Sequence, residues 1–321
     1  MKPWILVGGL LSFLMLTSFW EAVAQSDTVV TGPTVRVEDL HDNPFVTYKP
    51  LEEKFYRIHP FVDYTGAHSR FAEPTKLDYF GYRNSEDLYS RDSRDYSLIV
   101  MTGGSEAAGF SHRTTIAQHL ERMLNELGTK TYKVLNLAIN SYCLSNEIST
   151  YVHLAYHLKP EIVISHTGWN DMLYGMMAPP RFKELGLAYL KLQEDRLHRW
   201  YGNLDTEGQT PEWRYVEHGH EKLVDGYVRN LQKYETIVSG NGGQLIVGIQ
   251  SYNTNLDKQH TLYGKMDDLY EQLLRRVAHR DNHVDFSKIK DIEFEDSCHS
   301  TENSSLIIAR VYFGLVSKTT R

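Results

Sequence analysis

A chain of 321 residues, 41% hydrophobic and 23% charged, is long enough to bury the core of one large domain or of two small ones. Its net charge of −7, with no dense run of lysine and arginine, excludes a nucleic-acid surface built on basic patches. Two cysteines are too few for a disulfide scaffold, and no Cys/His cluster has zinc-type spacing.

The N-terminus carries Lys2, then the uncharged run "PWILVGGLLSFLMLTSFW" from Pro3 to Trp20, then Glu21 and "AVAQS". Small residues at Ala22 and Ala24 fit a signal-peptidase site that cuts before Gln25. Residues 1–24 therefore read as a secretory signal, with a secreted or periplasmic product that meets the membrane only in transit. The alternative is a membrane anchor formed by residues 3–20. Residues 25–95 are polar and irregular, rich in Asn, Pro, Asp and aromatics, and read as an N-terminal extension packed on the domain that follows.

After Tyr96 the pattern becomes regular. "SLIVMTGGS" is a short apolar run closed by glycines, a buried strand and a turn. "HRTTIAQHLERMLNEL" places Ile116, Leu120, Met123, Leu124 and Leu127 at helical spacing, with Gly128 as its stop. "YKVLNLAI" and "EIVISHTG" are strands around the helical "SNEISTYVHLAYHL". The stretch 175–240 is too long for a plain connection and is expected to be a helical insertion that roofs a site. "GGQLIVGIQ" and "NHVDFS" are the fourth and fifth strands, separated by the helix "YGKMDDLYEQLLRRVAHR"; "TENSSLIIARVYFGLVSK" is a last helix. This alternation predicts a three-layer α/β/α, doubly wound (flavodoxin-like) domain over residues 96–321. Its five-stranded sheet is mostly parallel, and ligands bind at the carboxyl ends of the strands.

Three of those strand ends carry chemistry-bearing residues. In "TGGSEAAG", Ser105 follows two glycines that let the backbone turn sharply; it reads as a nucleophile, as part of a phosphate-cradling turn, or as a helix cap. In "TGWND", Asn170 can point an amide N–H into a pocket and Asp171 can brace the loop. In "DSCH", Asp296 stands three residues before His299, which suits a carboxylate that orients an imidazole, a fragment of a metal site, or a helix cap. No HExxH accompanies it, so no metal and no cofactor are expected.

Taken together, "GGSEAAG", "NLAINSYCLSNE", "GWND" and "DSCH" resemble the four sequence blocks of the SGNH hydrolases of the GDSL type, over roughly residues 97–317. The first block has "GGS" where the family's namesake has "GDS", and Ser141 stands where the family usually has glycine. The resemblance implies a Ser105–His299–Asp296 triad, an oxyanion hole from the N–H groups of Ser105 and Ser141 and the amide of Asn170, and an acyl-enzyme intermediate. It further implies an exported serine esterase acting on small or medium acyl esters, acetyl among them, on a small molecule or a carbohydrate. Two alternatives use the same fold: an O-acyltransferase with the same site, and a catalytically inactive binding protein. Within this frame Trp169 is a candidate floor for the acyl or sugar pocket, with packing beneath the loop as the alternative. Arg83, in "GYRN", is a candidate for an anionic substrate group, with a structural ion pair as its alternative. Cys143 and Cys298 lie in loops that border the same pocket in the family, which implies a disulfide between them against two separate thiols.

Overall fold

The computed structural model of the chain describes residues 57–59, 63–65, 78, 80–84, 88–89, 95–110, 112–128, 130–177, 220–253, 261–277 and 280–319. The expected signal segment, most of the expected 25–95 extension and residues 178–219 lie outside the described residues. Within the extension, β1 (Arg57–His59) and β2 (Asp63–Thr65) pair antiparallel, with Ile58 opposite Tyr64. Among the described residues no helix is long and apolar enough to cross a membrane.

The five apolar runs form one sheet. Its strands are β3 (Ser97–Gly103), β4 (Tyr132–Asn136), β5 (Ile162–Thr167), β6 (Gln244–Ile249) and β7 (His283–Asp285), in the order β4-β3-β5-β6-β7. Every pair is parallel; Ile99 lies between Val134 and Ile162, and Val163 faces Leu245. All residues of β3 and of β5 are buried, as a parallel strand covered on both sides requires.

The two-residue period of the strands divides the core in two. Ile99, Met101, Ile164 and Ile246 face helices α2 (Ile116–Glu126) and α7 (Glu302–Thr319), where Leu120, Leu124, Ile308 and Tyr312 meet them. Val100, Val163, Leu245 and Val247 face the opposite layer. That layer holds α3 (Leu144–Thr150), α4 (Trp169–Met177), α5 (Glu221–Gly240) and α6 (Thr261–Val277). Each fully buried Leu or Ile contributes about 1.5–3 kcal/mol. The three-layer α/β/α architecture is thus present. The described part of 175–240 belongs to it: α5 is the crossover from β5 to β6, with Val224, Tyr227, Leu231, Tyr234 and Val238 buried at helical spacing. The rest of the expected roof, 178–219, lies outside the described residues.

Local chemistry sets the helix ends. Thr115 and Gln118 close a reciprocal capping box at the start of α2, and Gly128 follows its end at φ +67°. The segment expected as one helix after β4 is helical with three hydrogen-bond spacings. The α-helical turn runs into a π-turn at Tyr151–Ala155 and a 3-10 turn at Tyr156–Leu158.

The first strand in the sheet, β3, is flanked by β4 on one side and β5 on the other. This is the point at which the strand order reverses, and there the loops leaving neighbouring strands diverge and open a crevice.

Candidate active site

β3 ends at Gly103, and Ser105 opens the four-residue helix α1 (Ser105–Ala108), which closes at Gly109 with φ +73°. The turn leaves the Ser105 side chain half-buried and facing the C-terminal loop. His299 Nε2 lies 2.7 Å from Ser105 Oγ, and His299 Nδ1 lies 2.6 Å from Asp296 Oδ2. With the Nδ1 proton donated to Asp296, Nε2 is the free acceptor for the serine hydroxyl. Residues 194 apart in the chain thus meet at hydrogen-bond distance.

Asp296 holds the imidazole with one oxygen and builds the turn with the other. Its Oδ1 accepts the backbone N–H of Cys298 at 2.9 Å and of His299 at 2.8 Å. Partial burial alone would raise this carboxyl. Hydrogen bonds from the His299 ring and from those two amides outweigh burial and hold it at about 2. For His299, burial opposes the charged ring, and the Asp296 carboxylate overcomes that and raises the imidazole above its ordinary range. The Phe110 ring lies 5.0 Å from the His299 ring and walls one side of it.

The loop is tied down from three directions. Glu106, the residue after Ser105, accepts the Ser300 backbone N–H at 3.0 Å and also the Ser300 hydroxyl. His112 Nε2 donates to the Ser300 carbonyl at 2.9 Å. Gln250, just past β6, donates its side-chain amide to the Cys298 carbonyl at 2.8 Å. None of these partners was legible as a site residue. The only sequence signal was adjacency, with Glu106 beside Ser105 and Ser300 beside His299.

The oxyanion candidates converge less completely. Asn170 opens α4 beside Trp169 and donates Nδ2 to the Tyr142 carbonyl at 2.8 Å. A Cβ on Gly104 would sit 2.5 Å from that Nδ2, so only glycine lets the serine turn approach the amide. Nδ2 carries a second proton beyond the one given to Tyr142. Ser141 lies half-buried in the turn just before Tyr142 with φ +68°, the left-handed region that glycine enters at least cost. Asp171 braces the loop as expected: both its oxygens lie 3.1 Å from the Leu144 N–H. Burial, with the neighbouring Glu147 charge behind it, pushes the Asp171 carboxyl up to about 8. Glu147 itself is raised by burial and accepts hydroxyls from Ser165 at 2.6 Å and Thr102 at 2.7 Å.

Three expectations need correction. Arg83 is 5% exposed, and its guanidinium donates to the carbonyls of Ala108, Gly109, His112 and Arg113. It staples the loop after Ser105 through backbone carbonyls; its hydrogen-bond partners are not a substrate anion, nor a carboxylate as the ion-pair alternative supposed. Trp169 is 3% exposed and packs on Tyr252 and Tyr270, with ring centroids 5.3 and 6.2 Å away. It packs beneath the loop, the packing alternative for this residue, rather than standing exposed as a pocket floor. Cys143 and Cys298 are buried thiols that no disulfide joins. Cys143 occupies the cap position of α3, while Cys298 turns its sulfur toward His299 Nδ1 at 3.9 Å.

No protein-family model matches the sequence, and neither does any curated protein. Solved structures are similar to it. A lipase/acylhydrolase from Enterococcus faecalis is 14% identical, covers 70% of this chain and 96% of its own, and has a TM-score of 0.44. An acetylxylan esterase from Geobacillus stearothermophilus is 15% identical, with 67% and 92% covered and a TM-score of 0.43. A GDSL-like lipase from Bacteroides thetaiotaomicron is 11% identical, with 70% and 89% covered and a TM-score of 0.42. At such identities the chemistry of this site has to be read from its own distances.

Proposed function

We propose that this chain is a serine esterase of the SGNH type, which cleaves acyl esters through a Ser105–His299–Asp296 relay. The single observation that supports it is the continuous hydrogen-bonded path from Ser105 Oγ to His299 Nε2, at 2.7 Å, and from His299 Nδ1 to Asp296 Oδ2, at 2.6 Å. A buried cap or a structural histidine would not need a carboxylate aligned behind it and a half-exposed hydroxyl in front of it.

Each residue has a defined task. His299 Nε2 removes the Ser105 proton as Oγ attacks the ester carbonyl, and a tetrahedral intermediate forms. Asp296 keeps the imidazole in the tautomer that leaves Nε2 free, and its negative charge stabilises the imidazolium that results. The amide of Asn170 and the backbone N–H groups of Ser105 and Ser141 receive the oxyanion; one such donor is typically worth ~3 kcal/mol in the transition state. The imidazolium then returns its proton to the departing alcohol and leaves an acyl-serine. Water, activated by the same nitrogen, releases the acid. An acceptor hydroxyl in place of that water would give acyl transfer from the same residues. A signal segment cleaved after Ala24 would place the reaction outside the cytoplasm, where acylated carbohydrates and small esters are the substrates at hand.

The test is a panel of acetyl, butyryl and longer acyl esters on wild type and Ser105→Ala, with and without a sugar acceptor. Free acid should accumulate with wild type and not with Ser105→Ala, and a fluorophosphonate probe should label Ser105. Equal turnover by Ser105→Ala would remove the nucleophile assignment. Acyl groups reaching the acceptor faster than they appear as free acid would replace hydrolysis with transfer.

A further inference from the structure

The sulfur of Cys298 has no part in the relay just described, yet it is held against it. One donor atom from each of Asp296, Cys298 and His299 lies within 4.8 Å of the others. Cys298 Sγ is 3.9 Å from His299 Nδ1, and Nδ1 is 2.6 Å from Asp296 Oδ2. We propose that these three side chains form an inhibitory binding site for a borderline-soft divalent cation of the zinc type. Its effect on rate rests on the esterase reading; its existence does not.

The donor set decides the class of cation. A thiol sulfur, an imidazole nitrogen and a carboxylate oxygen suit zinc, whereas calcium and magnesium call for oxygens alone. Zinc bonds of ~2.0–2.3 Å in a tetrahedron put neighbouring donors about 3–4 Å apart. The sulfur–nitrogen pair already has that spacing. The oxygen–nitrogen pair has to open by roughly 1 Å, within reach of a side-chain rotation at Asp296. The Asp296 side chain is 49% exposed, so a hydrated cation can reach the carboxylate first and then shed water for the inner ligands. The backbone is already set. The Glu295 N–H donates to the His299 carbonyl at 2.8 Å, Gln250 holds the Cys298 carbonyl, and Glu106 holds Ser300. Three protein ligands leave a fourth position for water.

Binding would disable the base through its tautomer. A cation takes the Nδ1 lone pair, so the ring proton must sit on Nε2. Nε2 then donates to Ser105 Oγ and can no longer accept from it. The Cys298 thiol loses its proton to solvent, the ring proton moves from Nδ1 to Nε2, and no covalent bond in the chain is made or broken. A chelator reverses the sequence.

The experiment uses the full chain, freed of metal. Zinc chloride is titrated against ester hydrolysis and then EDTA is added, with wild type, Cys298→Ser and Cys298→Ala each normalised to its own metal-free rate. Cobalt(II) is titrated in parallel, with the thiolate-to-cobalt charge-transfer absorbance as readout. Wild type should lose its activity at micromolar zinc, regain it with EDTA, and show the cobalt band at one equivalent. Both variants should lack the band and need about tenfold or more zinc for the same inhibition. Zinc inhibition of equal strength in the variants, or no cobalt band in wild type, would overturn the site. A band in a protein that hydrolyses no ester would keep the site and overturn the esterase reading instead. Should both variants be unstable, alkylation of wild type decides: zinc has to protect Cys298, and protection confined to Cys143 counts against the site.

Discussion

Glu106 and Ser300 stand 194 residues apart and are joined by two hydrogen bonds, one to the Ser300 amide and one to its hydroxyl. Each is the chain neighbour of a residue of the proposed relay, so this contact fixes the serine turn against the histidine loop. We propose that Glu106 sets the spacing between Ser105 and His299 as a positioning residue.

Glu106→Ala should therefore slow turnover roughly 10–100-fold while KM changes little, because an ångström of misplacement at a base costs about that much. Two donors on Ser300 would lose their acceptor in a buried setting, which costs ~1–3 kcal/mol in stability. Glu106→Gln keeps one acceptor and should restore part of both. Fluorophosphonate labelling rates and urea denaturation measure the two effects separately. Equal labelling rates in all three proteins would deny Glu106 its role.

The Asp296 carboxylate raises His299 to about 10, so at neutral pH the ring is held largely as an imidazolium that cannot accept the serine proton. The kcat/KM profile of wild type should rise with pH, on a limb centred above the ordinary imidazole value of about 6.5. Asp296→Asn removes the charge, so its limb should move down toward 6.5 while the plateau drops. By analogy with other triads the plateau loss is on the order of 10⁴-fold, against about 10⁶-fold for Ser105→Ala or His299→Ala. A limb that stays in place in Asp296→Asn would show that another group controls it.

Asp171 sits in the folded protein with its carboxyl raised to about 8, against 3.8 when free. Between those values the folded state binds more protons than the unfolded state, so stability falls as pH rises through that window and levels off above it. Asp171→Asn reproduces the neutral carboxyl, can accept the same Leu144 N–H, and should flatten the slope. Glu147, raised in the same direction, would leave a residual slope. Denaturation midpoints at several pH values from 5 to 8.5 test this; parallel slopes for the two proteins would contradict it.

Ser141 pays for its left-handed backbone, φ +68°, with about 1–2 kcal/mol of strain relative to glycine. Ser141→Gly should stabilise the fold by about 1 kcal/mol or less, because glycine also gains freedom in the unfolded chain. It should keep the backbone N–H of the proposed oxyanion hole, and with it the turnover number. A lower melting temperature would mean that the Ser141 hydroxyl contributes more than the strain costs.

The fold was legible because its signals are local. Five short apolar runs, each followed by a helical period, are what a parallel sheet covered on both sides needs, and β3 to β7 fall on those runs. The meeting of these side chains was foreseeable because strand ends in such a sheet point at a common crevice; Ser105 and Asn170 lie just past β3 and β5, and Asp296–His299 follow β7 after a loop of ten residues. What escaped depends on partners distant in the chain. Arg83 looked available for a substrate because nothing near it in sequence announces the carbonyls 25 to 30 residues ahead to which it donates. The cysteines looked paired because their loops are neighbours, but which way a sulfur points is decided by its own turn. The roof drawn over 175–240 reached too far because α5 is both long and amphipathic, and its apolar stripe belongs to the central layer.

The strand order also sets a timetable. The hydroxyl leaves the middle of the sheet on β3, while the imidazole arrives after β7, at the margin that is synthesised last. A ribosome that has just added Ser105 has still to make the 194 residues that lead to His299. Until β7 and α7 settle against the sheet, the nascent polypeptide holds the Ser105 hydroxyl without its imidazole partner.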